Sequence, residues 1–422
     1  MNMQASKTAR DLDSADPLQD FRKRFRIPHG PDGNESIYFC GNSLGLQSEE
    51  VSIAVQGELE RWARLGVAGH FDGPLPWMPY HQFLRENLAW LAGARPGEVV
   101  AMNSLTVNLH LLMVSFYRPR GSRRKILIEK GAFPSDRHAV ASQIAFHGMD
   151  PAEELVELEP GADGLIDEQA IESWLDEHGD QVALVLWPGV QYATGQAFDL
   201  KRIARAGRKA GSTVGFDLAH AAGNLPLGLH DSGADFAVWC SYKYLNAGPG
   251  SVAGAFVHER HADSPDLPRF AGWWGHDPDS RFRMGPEFVP ASGADGWQLS
   301  NPPILAMAPL RASLEVFREA GMNRLREKSL KLTGYLAGLI RERLEKTIEI
   351  LTPLDEKRRG CQLSLRFKGG QADGQALFRR LEAHGVVGDW REPDIIRIAP
   401  VPLYNSFADA EAFVARVEEL SE

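Results

Sequence analysis

The sequence predicts an α/β protein: a large, mostly parallel sheet flanked by helices, with a smaller α+β unit at the C-terminal end. Two observations carry this. Short apolar runs alternate with helix-patterned stretches through the middle of the chain, which is the order of a parallel sheet covered on both faces. From about Ala308 the texture changes to long helix followed by half-exposed strands. At 422 residues the chain has room for two or three domains of roughly 100–200 residues each.

The elements follow in order. The first thirty residues are a polar stretch that carries Asp11, Asp13 and Asp16 and ends at Pro28-His29-Gly30, and they predict an N-terminal arm bounded at 1–35. Ile37 to Cys40 is a strand entering the turn Gly41-Asn42-Ser43. Glu49 to Leu65 is a helix, with Val51, Val55, Leu59 and Trp62 three or four apart. Gly69 to Pro79, rich in Gly, Pro and aromatics, is a loop of functional length. Glu98 to Met102 is a strand, and Leu105 to Tyr117 a helix. Lys125 to Ile128, Val182 to Trp187, Thr213 to Asp217 and Asp235 to Cys240 are further strands, and Asp199 to Ala210 is a helix. Pro302-Pro303 interrupts the chain, dividing a large domain, 36–305, from a small one, 306–422. In the small domain Ala308 to Lys346 is helical with a break at Gly321. Gln362 to Phe367 and Ile395 to Ile398 are strands there, and Gln375 to His384 and Ala408 to Leu420 are helices.

Composition removes several classes. Lys plus Arg is 46 against 56 for Asp plus Glu, a net charge of -10, so no broad basic footprint for nucleic acid is expected. No apolar run approaches the roughly 20 residues of a membrane span. The N-terminus is neither a signal peptide nor an Arg-rich transit peptide. Cys40, Cys240 and Cys361 are far apart and odd in number. They form no disulfide framework and no CxxC metal pair, and a reducing cytoplasm is the expected compartment. No HxxxH, HExxH or Cys/His cluster predicts a metal.

The chemistry concentrates between Val182 and Gly254. Asp217 ends one strand and is followed by Leu218-Ala219-His220. A second strand runs into Ser241-Tyr242-Lys243-Tyr244 and a small-residue loop. Ligands of open α/β sheets sit beyond the carboxyl ends of the strands, so Asp217 and Lys243 can face one crevice. A lysine there can form a Schiff base, and a carboxylate can hold a protonated ring nitrogen. The competing reading makes Asp217 a turn cap and Lys243 a surface cation, and spacing alone leaves the two about even. Asn103-Ser104-Leu105-Thr106 stands between strand and helix, where free N–H groups and hydroxyls suit a phosphate; taken by itself the stretch favours a plain cap by Ser104. Phe133-Pro134-Ser135-Asp136 offers a stacking ring and a polar contact, or simply a turn with a buried Phe. No P-loop or dinucleotide fingerprint is present.

Together these stretches resemble the kynureninases, pyridoxal-phosphate hydrolases of fold type I in the aspartate aminotransferase superfamily. The matching segments are Gly41 to Leu46, Asn103 to Asn108, Phe133 to Asp136, Gly189 to Gln196, Asp217 to Asn224, Ser241 to Tyr244, Gly272-Trp273-Trp274-Gly275-His276 and Ser300-Asn301-Pro302-Pro303. They span about Phe39 to Ser406. The resemblance implies a seven-stranded sheet and pyridoxal 5'-phosphate carried on Lys243. It implies Asp217 at the ring nitrogen, Phe133 stacked on the ring, and Leu105, Thr106, Ser135, Asp136, His220 and Tyr242 lining the cofactor. Trp273 and Asn301 would be further cofactor contacts across a homodimer interface. Arg397 would bind the substrate α-carboxylate, with Arg391 as its competitor. His70, Ser43, Ser300 and Asn301 would meet the rest of the substrate, and the set His70, Ser300 and Asn301 is similar to that of the type favouring the 3-hydroxy substrate. Tyr242 would be a phosphate ligand, a proton donor, or both.

The implied reaction is hydrolytic Cβ–Cγ cleavage of L-kynurenine or 3-hydroxy-L-kynurenine to the matching anthranilate and L-alanine, in tryptophan catabolism and NAD biosynthesis. The rivals are a cysteine desulfurase or small-substrate aminotransferase of the same fold, and a non-catalytic scaffold. Cys361 lacks the mobile-loop setting that a desulfurase nucleophile needs, and the retained Asp217 and Lys243 argue against a scaffold.

Overall fold

A computed structural model of the chain describes residues 8–262, 264 and 267–421. Residues 1–7 of the predicted arm lie outside them. The first strand, β1 (Ile37–Tyr38), pairs far along the chain. Seven strands then build the large sheet: β2 (Val99–Ala101), β3 (Lys125–Glu129), β4 (Leu155–Leu158), β5 (Val182–Pro188), β6 (Thr213–Asp217), β7 (Phe236–Trp239) and β8 (Gly254–Val257). Their order is β2-β8-β7-β6-β5-β3-β4. The run from β4 through β3, β5 and β6 to β7 is parallel, and β8 is antiparallel to both β7 and β2.

Period-two alternation explains how the sheet is covered. Ile126, Ile128, Leu184, Leu186 and Val238 share one core with Leu109, Leu112 and Phe116 of the helix Leu105–Phe116 and Val140 and Ile144 of the helix Pro134–Phe146. Leu127, Val185, Trp187 and Phe216 point the other way, onto Ile171, Leu175 and Ile203 of the helices Glu168–His178 and Leu200–Lys209. Both faces are apolar, so the strands read as continuous hydrophobic runs. The helices Gln82–Ala92 and Glu168–His178, and the antiparallel strand β8, are additions to the sequence reading.

A second sheet carries the C-terminal unit: β9 (Ile348–Ile350), β10 (Leu363–Phe367), β12 (Asp389–Arg391) and β13 (Ile395–Ile398), ordered β12-β13-β10-β9 and antiparallel throughout. Between them β11 (Val386–Val387) pairs in parallel with β1. Leu332, Leu336 and Ile340 of the helix Met322–Arg343 and Phe413 and Val414 of the helix Phe407–Ser421 pack on this sheet.

Two expectations change. The described part of the arm is not loose: Ala9 is buried in the core of the small sheet, and Phe21 and Phe25 in that of the large one. Its polar sequence hid these few anchors. The helix Ile304–Ala320, which starts just past Pro302-Pro303, packs Met307, Leu310, Leu314 and Phe317 into the large core. The packing changes hands within the next helix, where Leu325 belongs to the large core and Leu332 to the small one.

Candidate active site

A cavity of about 140 Å³ opens at the carboxyl ends of the parallel strands. Four of these strands, β3, β5, β6 and β7, each deliver one part of its wall. After β3 come Phe133, Ser135 and Asp136; after β5, Val190 and Tyr192; at the end of β6, Asp217, Ala219 and His220; after β7, Tyr242 and Lys243. Leu105 and Thr106 close the rim from the start of their helix. Nine of the residues singled out by sequence therefore share one cavity.

The rim suits an anion. Ser104 occupies the cap position of its helix, yet its side chain makes no capping bond. Phe133-Pro134-Ser135-Asp136 is not a turn but the first turn of the helix Pro134–Phe146, again without a side-chain cap. Two helix starts thus lack side-chain caps where N–H groups favour anions. Thr106 Oγ1 and Ser135 Oγ lie 2.8 Å apart between them. The Phe133 ring is 41% exposed and stands edge-on to Tyr192, with Lys243 Nζ 5.8 Å from its centroid.

The floor is acidic and buried. Asp217 Oδ1 accepts the Ala219 N–H at 2.7 Å. Burial raises the carboxyl pKa of Asp217 despite that bond and the nearby Lys243. Asp136 is pushed up much further, by burial and then by the Asp217 charge beside it, so Asp136 keeps the proton and donates it to Asp217. Glu129, at the end of β3, is a third carboxyl on this wall, and burial holds it well above the carboxylate range. Gln191 Nε2 donates to Glu129 Oε1 at 3.4 Å. Sequence reading ended β3 at Ile128 and so missed Glu129, although a carboxyl closing a strand was the very signal that found Asp217.

Lys243 Nζ sits 3.1 Å from His220 Nε2. Burial and the Lys243 charge hold His220 well below its usual pKa, so its ring is neutral. Burial raises the Tyr242 phenol. The turn carrying Lys243 is braced by Gly45, whose N–H donates to the Tyr242 carbonyl at 2.8 Å. A Cβ on Gly45 would stand 2.3 Å from the Lys243 carbonyl oxygen, so only glycine fits there.

Arg397 lies behind Tyr192 rather than on the cavity wall. It is 1% exposed, its Nη1 donates to the Tyr192 carbonyl at 2.8 Å, and Asp389 grips its other side. The Tyr192 loop is stitched to the small sheet: Gln362 Nε2 also donates to the Tyr192 carbonyl, Ser364 Oγ to that of Ala193, and Thr352 Oγ1 to that of Thr194. Tyr192 stood in a noted motif without a role, and Asp389 was missed because cross-strand pairing is invisible in one dimension.

Besides Arg397, five candidate site residues and the rival reading's Cys361 fall outside the cavity. Ser43 is in the turn after Cys40 and donates its N–H to the Cys40 carbonyl at 2.9 Å. His70 ends a short 3-10 helix, its ring edge-on to Trp77. Trp273 lines a separate cleft with Arg281 and Phe288. Ser300 and Asn301 line another with Asn103 and Val252. Cys361 is fully buried and beside Tyr244, no place for a mobile nucleophile.

Solved structures share this architecture. The chain is similar to the apo cysteine desulfurase of Thermococcus onnurineus NA1, with TM-score 0.74 and 20% identity over 95% of this chain and 97% of that one. It is similar also to a mutant of C-DES with glycine covalently linked to its pyridoxal-phosphate cofactor, with TM-score 0.77 and 18% identity over 94% and 98%. At these identities the likeness concerns the fold, which is fold type I of the pyridoxal-phosphate enzymes.

Sequence relatives narrow the class. Residues 325–417 match the kynureninase C-terminal domain. Kynureninases of Xanthomonas euvesicatoria pv. vesicatoria and Stenotrophomonas maltophilia are each 61% identical over 409 residues, covering 96% of this chain and 96% of each relative. The chain belongs to the kynureninase family.

Proposed function

We propose that the chain is a pyridoxal-phosphate-dependent kynureninase that hydrolyses the Cβ–Cγ bond of L-kynurenine or 3-hydroxy-L-kynurenine, releasing L-alanine and the matching anthranilate. The carrying observation is the strand-end cavity that brings Lys243 and Asp217 together in a chain 61% identical to named kynureninases. Pyridoxal phosphate fits the residues present: two helix starts without side-chain caps and a hydroxyl pair for a phosphate, an exposed aromatic face for a ring, and a buried carboxylate for a ring nitrogen. When bound, the cofactor supplies a carbonyl for the lysine and an electron sink for charge developed at Cα.

The chain's own residues do the rest. Thr106, Ser135 and the helix-start N–H groups hold the phosphate. Asp217, relieved of competing charge by the protons on Asp136 and Glu129, pairs with the ring nitrogen. Phe133 covers the ring face. Lys243 takes the Cα proton, and neutral His220 at 3.1 Å offers it a hydrogen-bond partner. Tyr242, kept protonated by burial, donates a proton or binds the phosphate. Arg397 receives the substrate carboxylate, with Ser43 at the turn beside it.

The finer reading is a cytoplasmic homodimer serving tryptophan catabolism and NAD biosynthesis. A second copy would bring His70, Trp273, Ser300 and Asn301 to the cavity, and His70, Ser300 and Asn301 would favour the 3-hydroxy substrate by hydrogen bonding to it. Exposed Trp62, Phe71, Phe282 and Met284 support a covered face. Three buried thiols support a reducing compartment. The division at residues 35 and 305 belongs to this reading, with the helix Ile304–Ala320 assigned by its packing to the large unit.

Incubation of the protein with pyridoxal phosphate and each substrate should yield alanine and the matching anthranilate. Neither product from either substrate would defeat the proposal.

A further inference from the structure

A guanidinium offers a carboxylate two forks, the side pair Nε and Nη and the end pair Nη1 and Nη2. The side fork of Arg397 is filled. Its Nε donates to Asp389 Oδ1 at 2.5 Å, and its Nη2 donates to Asp389 Oδ2. The two residues face each other across the β12–β13 ladder, so the backbone fixes their distance. Arg397 is buried at 1% exposure and cannot swing to solvent. Its Nη1 is tied to the carbonyl of Tyr192, a cavity-lining residue. Arg391 donates to the same Asp389 Oδ2 at 3.1 Å. Two cations therefore share one anion, and the trio carries one net positive charge.

We propose that Asp389 is a positioning and charge-setting residue of the substrate-carboxylate site. It holds the Arg397 guanidinium by its side fork, which leaves the second hydrogens of Nη1 and Nη2 for the ligand, and it cancels one of two arginine charges so that the site accepts one carboxylate. This rests on the reading of Arg397 as the carboxylate partner. Without Asp389 two uncancelled arginines would sit beside the cavity, and dianions would become competitors. With it, the α-carboxylate of an amino acid is matched charge for charge, and a dianion is not.

The test uses the holoenzyme, with kynurenine as substrate, L-alanine as a ligand bearing only the α-carboxylate, and sulfate as the dianion. Asp389→Asn should raise KM and weaken alanine binding about tenfold or more while kcat stays within about threefold, the signature of a lost binding contact. Sulfate should then inhibit competitively at concentrations the parent enzyme tolerates. Asp389→Glu, which keeps the charge on a longer stem, should raise KM without sulfate inhibition, and it serves equally if the Asn variant does not fold. The double variant Asp389→Asn with Arg397→Lys should bind alanine no more weakly than Arg397→Lys alone, because the two residues act as a unit. Unchanged KM in both Asp389 variants, or additive losses in the double variant, would overturn the positioning role. If Arg397→Lys leaves KM and alanine affinity unchanged, the carboxylate reading of Arg397 itself fails.

Discussion

The cavity floor and the Arg397 corner treat buried charge in opposite ways. At the floor, Glu129, Asp136 and Asp217 crowd together, and burial makes two of them hold protons rather than find cations. At the corner, Arg397 is equally buried but meets a carboxylate on one fork and a carbonyl at Nη1. A floor that stores protons can answer a cationic ring. A corner whose charge is paired and whose geometry is fixed by two strands can only accept a partner of set shape. Under the proposed function, chemistry and recognition are thereby given different electrostatics.

The largest effect expected is at the floor. Lys243→Ala should remove essentially all turnover and the visible absorption band of the bound cofactor; a variant with full rate would sink the assignment. Asp217→Asn should lower kcat by roughly 10²–10³-fold, read by steady-state kinetics with cofactor in excess. At the corner, Arg397→Ala leaves the part-buried Asp389 with Arg391 as its remaining partner, a loss of about 1.5–3 kcal/mol for the charged hydrogen bonds removed. Denaturant unfolding of the apoprotein should show that loss, and kinetics of the holoenzyme should show KM rising far more than cofactor affinity falls. A drop confined to kcat would erase the distinction between the two regions. Thr106→Val should weaken cofactor affinity about tenfold, the order of one or two hydrogen bonds to a charged group, with alanine affinity of the reloaded enzyme unchanged.

The smallest effect tests the stored protons. The Glu129 pKa is raised in the folded chain, so folding binds an extra proton between the unfolded and folded values. Its stabilising share is complete below the unfolded carboxyl pKa, roughly 4.3, and is lost as pH rises through the folded value. Glu129→Gln removes that dependence. The variant should melt a few degrees higher than the parent at alkaline pH, and the gap should close towards pH 4. A gap that widens on acidification would mean that Glu129 is ionised in the folded state.

Much of this was legible in one dimension, and the reason differs by element. Thr213–Asp217 and Ile395–Ile398 were bounded to the residue, because strands covered on one or both faces declare their apolar pattern. The helix Glu49–Leu65 was too, through the three- and four-residue spacing of Val51, Val55, Leu59 and Trp62. Lys243, Asp217 and Thr106 were singled out because strand ends and helix starts leave a local signature, and the family resemblance turned that signature into expected roles. Asp389 leaves none: its meaning arises only when β12 folds against β13. Residues 8–35 misled because the few buried apolar side chains, Ala9, Leu18, Phe21 and Phe25, set no period among many polar ones. His70, Trp273, Ser300 and Asn301 carry a motif but no place in the single-chain cavity, and a role for them there belongs to the proposed dimer.

The stitching of the Tyr192 loop has a practical consequence. Four donors from the C-terminal sheet, on Thr352, Gln362, Ser364 and Arg397, end on three successive carbonyls of Tyr192, Ala193 and Thr194. A chain cut after the helix Ile304–Ala320 would leave those carbonyls bare and the wall of the cavity untethered. Anyone seeking a minimal catalytic fragment, or grafting a different C-terminal unit to change the substrate, has to carry those four side chains along.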